Sequence, residues 1–357
     1  MSGPAIWLTS TSTTDDTATG RFRVGRQRAT VTFSGVAPDP TSAPEAFTTI
    51  GRVMGWENDQ SVWSVPRISP AYRAGIDNLQ AVHLARFPHH HPAPLHARHR
   101  PDRPPTDDGR RVAAFFSGGV DSFDLVAEHG DEIDDLLFVR GFDIVVHDRE
   151  RNAEVLAVVQ DAADAVGKPL LVIDTDLRDF SDPTCDWTWY VYAGLVSTAL
   201  LLERTHRLTL CAASMADRFL PEAMTSIRGR PIGNERTALR IEGRTATRVE
   251  KLRRVATSGL ARDTLRVCWQ NRPGTLNCGA CAKCTRTMAG LAAIGMLGDI
   301  ATLPDELDLD AVATHPATTQ SDRYYLIETL EAAEANGVDD LAAALRAALD
   351  AGRGPDA

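Results

Sequence analysis

Val112-Ala113-Ala114-Phe115-Phe116-Ser117-Gly118-Gly119-Val120-Asp121-Ser122-Phe123 is the stretch on which the fold turns. Its first five residues form a continuous apolar run, the pattern of a strand buried on both faces. A loop of small residues follows, and Phe123 to His129 reads as the start of a helix. Strand, small-residue loop and helix in that order build an anion site, because backbone N–H groups and the positive helix end point at one spot. Gly118 and Gly119 permit backbone angles and close approach that a side chain forbids. Ser117 and Ser122 add hydroxyl donors. Asp121 is the discordant member, since a carboxylate repels phosphates unless a magnesium ion sits between them. A bound Mg2+ is therefore expected.

Downstream the pattern repeats. Leu136 to Val139 reads as a strand, 149–166 as a helix with Val155, Val158, Val159, Ala162 and Val166 inward, and Leu170 to Ile173 as a third strand. A buried helix over 187–204 and a strand from Leu208 to Ala213 complete the series. Alternation of this kind predicts an α/β fold, an open parallel sheet with helices on both faces. His147 and Asp148 follow a strand end, where substrate groups often lie, although a surface histidine satisfies the same pattern.

Upstream, residues 1–105 read as a small α+β accessory domain. Residues 21–33 alternate around Gly25, which predicts two short strands. Helices are expected over 44–55 and over 69–87, the second with Ser69 as N-cap and Pro70 at its first position. Residues 88–110 carry six prolines and five histidines without an apolar period and are expected to be a linker. Its histidines (His89, His90, His91, His96 and His99) read as surface residues, since neighbours on a proline-rich segment do not converge on one ion. The core domain is placed at 111–300. C-terminal helices are placed at 301–357, split at Asn336-Gly337, and the last residues from Gly352 to Ala357 are expected to be disordered. Packing against the main domain, or against a second subunit in a homodimer, is the expected task of these helices.

Four of the six cysteines, Cys268, Cys278, Cys281 and Cys284, fall within 17 residues. Four thiolates at that spacing suit a closed tetrahedral Zn2+ site, with an iron–sulfur cluster as the alternative. Lys283, Arg286 and Arg272 lie nearby, either to offset the site's negative charge or to face substrate. The net charge of −10 opposes a broad nucleic-acid surface and favours a small-molecule substrate; Arg244, Arg248, Lys251, Arg253 and Arg254 form one candidate basic patch or, equally, the solvated face of a helix. No stretch of about 18 apolar residues or signal-like leader occurs, so no membrane association and a cytoplasmic location are expected.

The hexapeptide Ser117–Ser122 resembles the SGGxDS signature of the PP-loop ATP pyrophosphatases. Combined with C-x9-C-x2-C-x2-C, it looks like the 7-cyano-7-deazaguanine synthase family, over residues 111–295. The resemblance implies an adenine nucleotide alpha hydrolase-like fold in which residues 117–122 hold ATP and the four cysteines hold zinc. It further implies that a substrate oxygen attacks the α-phosphorus, pyrophosphate leaves, and ammonia or an amine displaces AMP. Ala213-Ser214 matches the family's small-residue turn near the nucleotide. Thr247–Leu252 matches its Lys-x-Glu helix, with Arg248 in the lysine's place and Lys251 one turn on, so Asp121, Ser122, Arg248 and Lys251 are the expected catalytic set. Two departures separate the chain from the family: Arg140–Asp148 replaces a Tyr-Gly-Gln-type substrate segment, and residues 1–105 are additional. A sulfur transferase acting on tRNA would need a catalytic pair from Cys185 and Cys211. A nucleotide-binding module that senses or conjugates to a partner protein is the third expectation.

Overall fold

A computed structural model describes residues 5–104, 109–315 and 317–352; the expected disorder at 353–357 lies outside them. The N-terminal elements are β1 (Ile6–Thr13), β2 (Thr17–Val24), β3 (Gln27–Ser34), α1 (Ala43–Glu57), β4 (Val62–Ile68), α2 (Pro70–Arg86) and β5 (Leu95–His99). The central ones are β6 (Arg111–Phe115), α3 (Val120–His129), β7 (Asp135–Arg140), α4 (Arg149–Ala165), β8 (Leu170–Thr175), α5 (Leu177–Ser181), α6 (Trp187–Leu201) and β9 (His206–Ala212). Then come α7 (Glu222–Arg228), β10 (Ile232–Gly233), β11 (Ala238–Glu242), α8 (Arg248–Ala256), α9 (Gly259–Thr264) and α10 (Ala282–Ala293). The chain closes with α11 (Leu309–Ala313), α12 (Gln320–Ala335) and α13 (Asp339–Ala351).

Among the described residues eleven strands join one sheet in the order β10-β11-β9-β6-β7-β8-β3-β2-β1-β4-β5. Six neighbouring pairs are parallel and four antiparallel. The fold is thus α/β, with a mostly parallel sheet flanked by helices. Val112–Ala114 of β6 and Asp135–Val139 of β7 are buried, as expected for strands covered on both faces. The N-terminal strands continue this sheet through the antiparallel β3–β8 pair, Phe33 opposite Thr175 and Ser34 opposite Asp174. A single apolar cluster runs from Ile6 through Phe47 and Val196 to Leu239.

One expectation is corrected. The Pro/His-rich stretch 88–110 is not linker throughout, since Leu95–His99 pairs parallel with β4. Leu95 is buried and Ala97 half-buried while His96, Arg98 and His99 face out, an alternation that the surrounding prolines and histidines hide. Elsewhere α2 begins at Pro70 with Ser69 accepting from the Tyr72 N–H. The C-terminal helices divide at Asn336-Gly337 as read, and their apolar faces pack with Ala289 and Ala293 of α10. Among the described residues no helix is long and apolar enough to cross a membrane.

Candidate functional site

The loop leaves the carboxyl end of β6 and enters α3 with Gly119 as N-cap. Gly118 holds φ +73°, a left-handed angle that glycine adopts without penalty. The Gly118 carbonyl accepts from the Arg266 N–H at 2.8 Å, so the segment before the first cysteine clamps the loop. Ser122 turns its hydroxyl back, donating to the Gly119 carbonyl at 2.9 Å and accepting from the Gly119 N–H at 3.1 Å. The loop is therefore preformed.

Asp121 projects from the first turn of α3 onto α8. Thr247 caps α8 reciprocally with Glu250, which places Arg248 and Lys251, three residues apart, on one face. Arg248 meets Asp121 at 2.9 Å and Lys251 meets its other oxygen at 3.4 Å. Burial raises the Asp121 carboxyl, but the Arg248 and Lys251 charges outweigh it and hold it below the usual carboxylate range. Lys251 also donates to the Ala213 carbonyl, and the Ser214 carbonyl accepts from the Tyr325 hydroxyl at 3.2 Å. The expected set Asp121, Arg248, Lys251 and Ala213-Ser214 is thus brought together. The repulsion from which magnesium was inferred is met by protein cations instead.

Two adjoining cavities open on the loop and share Ser117, Asp121, Ser122, Asp143 and Arg266 in their walls. The larger, about 190 Å³, is chiefly apolar, lined by Phe116, Leu137, Val139, Phe142 and Ile144 among others. It sits at the carboxyl ends of β6 and β7, where open α/β sheets bind ligands. The smaller, about 70 Å³, is polar, and Arg248, Arg266 and Lys283 enter it. Burial lowers the Lys283 ammonium, with Asp143 pulling the other way. The segment 140–148 divides: Phe142, Asp143 and Ile144 line the cavity, Arg140 pairs with Asp174, and exposed His147 pairs with Asp179 at 2.8 Å. His147 is therefore a surface residue held by a hydrogen bond to Asp179. Arg266 and Asp143 carried no role in the sequence reading. Arg266 stands two residues before the first cysteine, and that proximity is the signal that was present.

Cys268, Cys278, Cys281 and Cys284 converge, with all four Sγ atoms within 4.8 Å of one another. A tetrahedron with metal–sulfur bonds of about 2.3 Å has edges of about 3.8 Å, and the Cys268–Cys281 separation is 3.9 Å. The donor set fits a four-coordinate ion. Gly279 takes φ +71° to turn the knuckle, and Cys281 caps α10 by accepting from the Cys284 N–H. Asn277, unassigned from sequence, pins the segment carrying Cys268. Its Oδ1 accepts from the Val267 and Cys268 N–H groups at 2.8 and 3.1 Å, and its Nδ2 donates to the Leu265 carbonyl at 2.8 Å. Cys268 also lines the polar cavity, so the four-cysteine cluster and the loop share a wall.

Cys185 and Cys211 are both half-buried free thiols. Burial pushes both thiols up to about 12. Cys211 lines the apolar cavity, whereas Cys185 accepts from Asn58. Comparison with protein-family models, with curated proteins and with solved structures returns no match.

Proposed function

We propose that this chain is an ATP pyrophosphatase of the ligase type, which adenylates a small-molecule carboxylate or a related carbonyl oxygen and transfers it to ammonia or an amine. The observation that carries the reading is the preformed loop at the head of α3, facing a cavity pair with one apolar and one cationic half. An adenine base suits the apolar half, and the polar half suits phosphates. Loop N–H groups and the helix terminus would bind oxygens of the departing pyrophosphate. Arg248, Arg266 and Lys283 would neutralise charge as it leaves, preorganised in a partly dry site where such charges act strongly. Asp143, half-exposed and 3.8 Å from Arg266, is the carboxylate best placed to meet a magnesium ion carried in with ATP, whose chemistry is to screen phosphate charge. Asp121 acts by fixing Arg248 and Lys251.

Zinc in the four-cysteine cluster fits a structural part in this reading, since every ligand position is filled by protein. The pushed-up thiols of Cys185 and Cys211 weigh against sulfur transfer, because a thiolate is the nucleophile such chemistry needs. The test is pyrophosphate release from ATP across a panel of carboxylic acids. Release with at least one acid, falling about a hundredfold in Arg266→Ala, is the expected result. No release above an Asp121→Ala control on a broad panel counts against the reading.

A further inference from the structure

Strands β1 to β5 contain five arginines, two histidines and no aspartate or glutamate, in a chain whose net charge is −10. Their inner face packs on α1, with Phe22 edge-on to Phe47. Across their outer face one row spans all five strands. Arg28 lies opposite Arg23, Arg23 opposite Trp7, Trp7 beside Trp63, and Trp63 beside His96. The rings form a continuous stack, with Trp7–Trp63 centroids at 4.8 Å and Trp63–His96 at 4.1 Å, and the Arg23 guanidinium lies 5.2 Å from the Trp7 centroid. Trp63 is 37% exposed. The next row on that face is Thr30, Arg21 and Ser10.

Two features of this face are unfavourable for the isolated protein. Like charges directly opposed across strands destabilise a sheet, yet Arg23 and Arg28 are so placed. Among the described residues, neither they nor Arg21 and Arg98 make an ion pair. A second copy laid on the face would set arginine against arginine. A polyanion carrying flat rings resolves both features, since bases stack on aromatic side chains while phosphates meet the arginines. The flanking hydroxyls of Thr30 and Ser10 suit a ligand that presents 2′-hydroxyls. We propose that the outer face of β1–β5 binds single-stranded RNA, with bases stacked along the Trp7–Trp63–His96 row. The overall negative charge sums the whole surface and leaves this acid-free face intact.

The experiment uses the full chain and a fluorescein-labelled oligouridylate of about 12 nucleotides, within the site sizes of such surfaces, read by anisotropy at about 50 mM salt. Expected are saturable binding, a loss of about tenfold in Trp63→Ala, restoration by Trp63→Phe, and loss of binding in Arg23→Glu/Arg28→Glu. Each variant is checked for an unchanged melting temperature. If Trp63→Ala alone fails to fold, the arginine pair and Trp63→Phe decide the matter. Absent oligouridylate binding, binding unaffected by the arginine pair, or equally tight binding of oligodeoxyuridylate or polyglutamate overturns the proposal.

Discussion

Asp121 spends both carboxylate oxygens on cations, and its partners Arg248 and Lys251 are almost inaccessible to water. Breaking a buried pair leaves an uncompensated charge, which costs about 3 kcal/mol or more. Arg248→Ala is therefore expected to lower the unfolding free energy by about that amount in urea titration, and Arg248→Lys by less. The held-down Asp121 carboxyl contributes stability that is present above its unfolded value and lost as pH falls through the lower folded value, in the acid range below about 4. Glu328 runs the other way. Burial pushes it up to about 7, against its contact with the Arg248 N–H. A raised carboxyl gives stability that is full below its unfolded value and lost as pH rises through the folded one. From pH 4.5 to 7.5 the Glu328 contribution should decline, so melting of Glu328→Gln should fall less, or rise more, with pH than that of the parent. An unchanged slope in the variant would remove Glu328 from the account.

At the scale of elements, β6, its loop and α3 were legible because each obeys a local rule: an apolar run, glycines at the turn, a helix start. Gly118→Ala forces φ +73° on an alanine, a cost of about 1–2 kcal/mol. It should abolish pyrophosphate release while leaving the chain folded, as judged by circular dichroism. The cysteine spacing was legible for the same local reason, whereas Asn277 was not, since its work is done on backbone groups nine or more residues away. Asn277→Ala strands two buried N–H groups, each worth about 1–3 kcal/mol. Zinc retention against a chelator is expected to fall tenfold or more, measured by colorimetric release. β1 escaped notice because a bulge between Leu8 and Ser10 shifts its register and breaks the alternation. β4 and β5 escaped because aromatic and basic residues occupy their outward positions.

Across the whole molecule the sheet is continuous, and polar contacts reinforce the join. Buried Glu45 of α1 receives Arg100 at 2.7 Å and Asn234 at 2.7 Å, while Arg103 reaches Glu203 at 2.6 Å and Glu235 at 3.0 Å. None of these long-range partners follows from sequence spacing, which is why residues 1–105 read as a unit apart. The same sheet carries the apolar cavity at the ends of β6 and β7, so the join and the site are parts of one framework. A purified, colourless protein holding about one zinc per chain is expected by metal analysis, and absorbance near 400 nm would instead indicate iron–sulfur. Phosphorus-31 NMR of ATP incubated with the protein, magnesium, ammonia and a carboxylic-acid panel should show AMP and pyrophosphate appearing in equal amounts. ADP with inorganic phosphate, or unchanged ATP throughout the panel, would contradict the account.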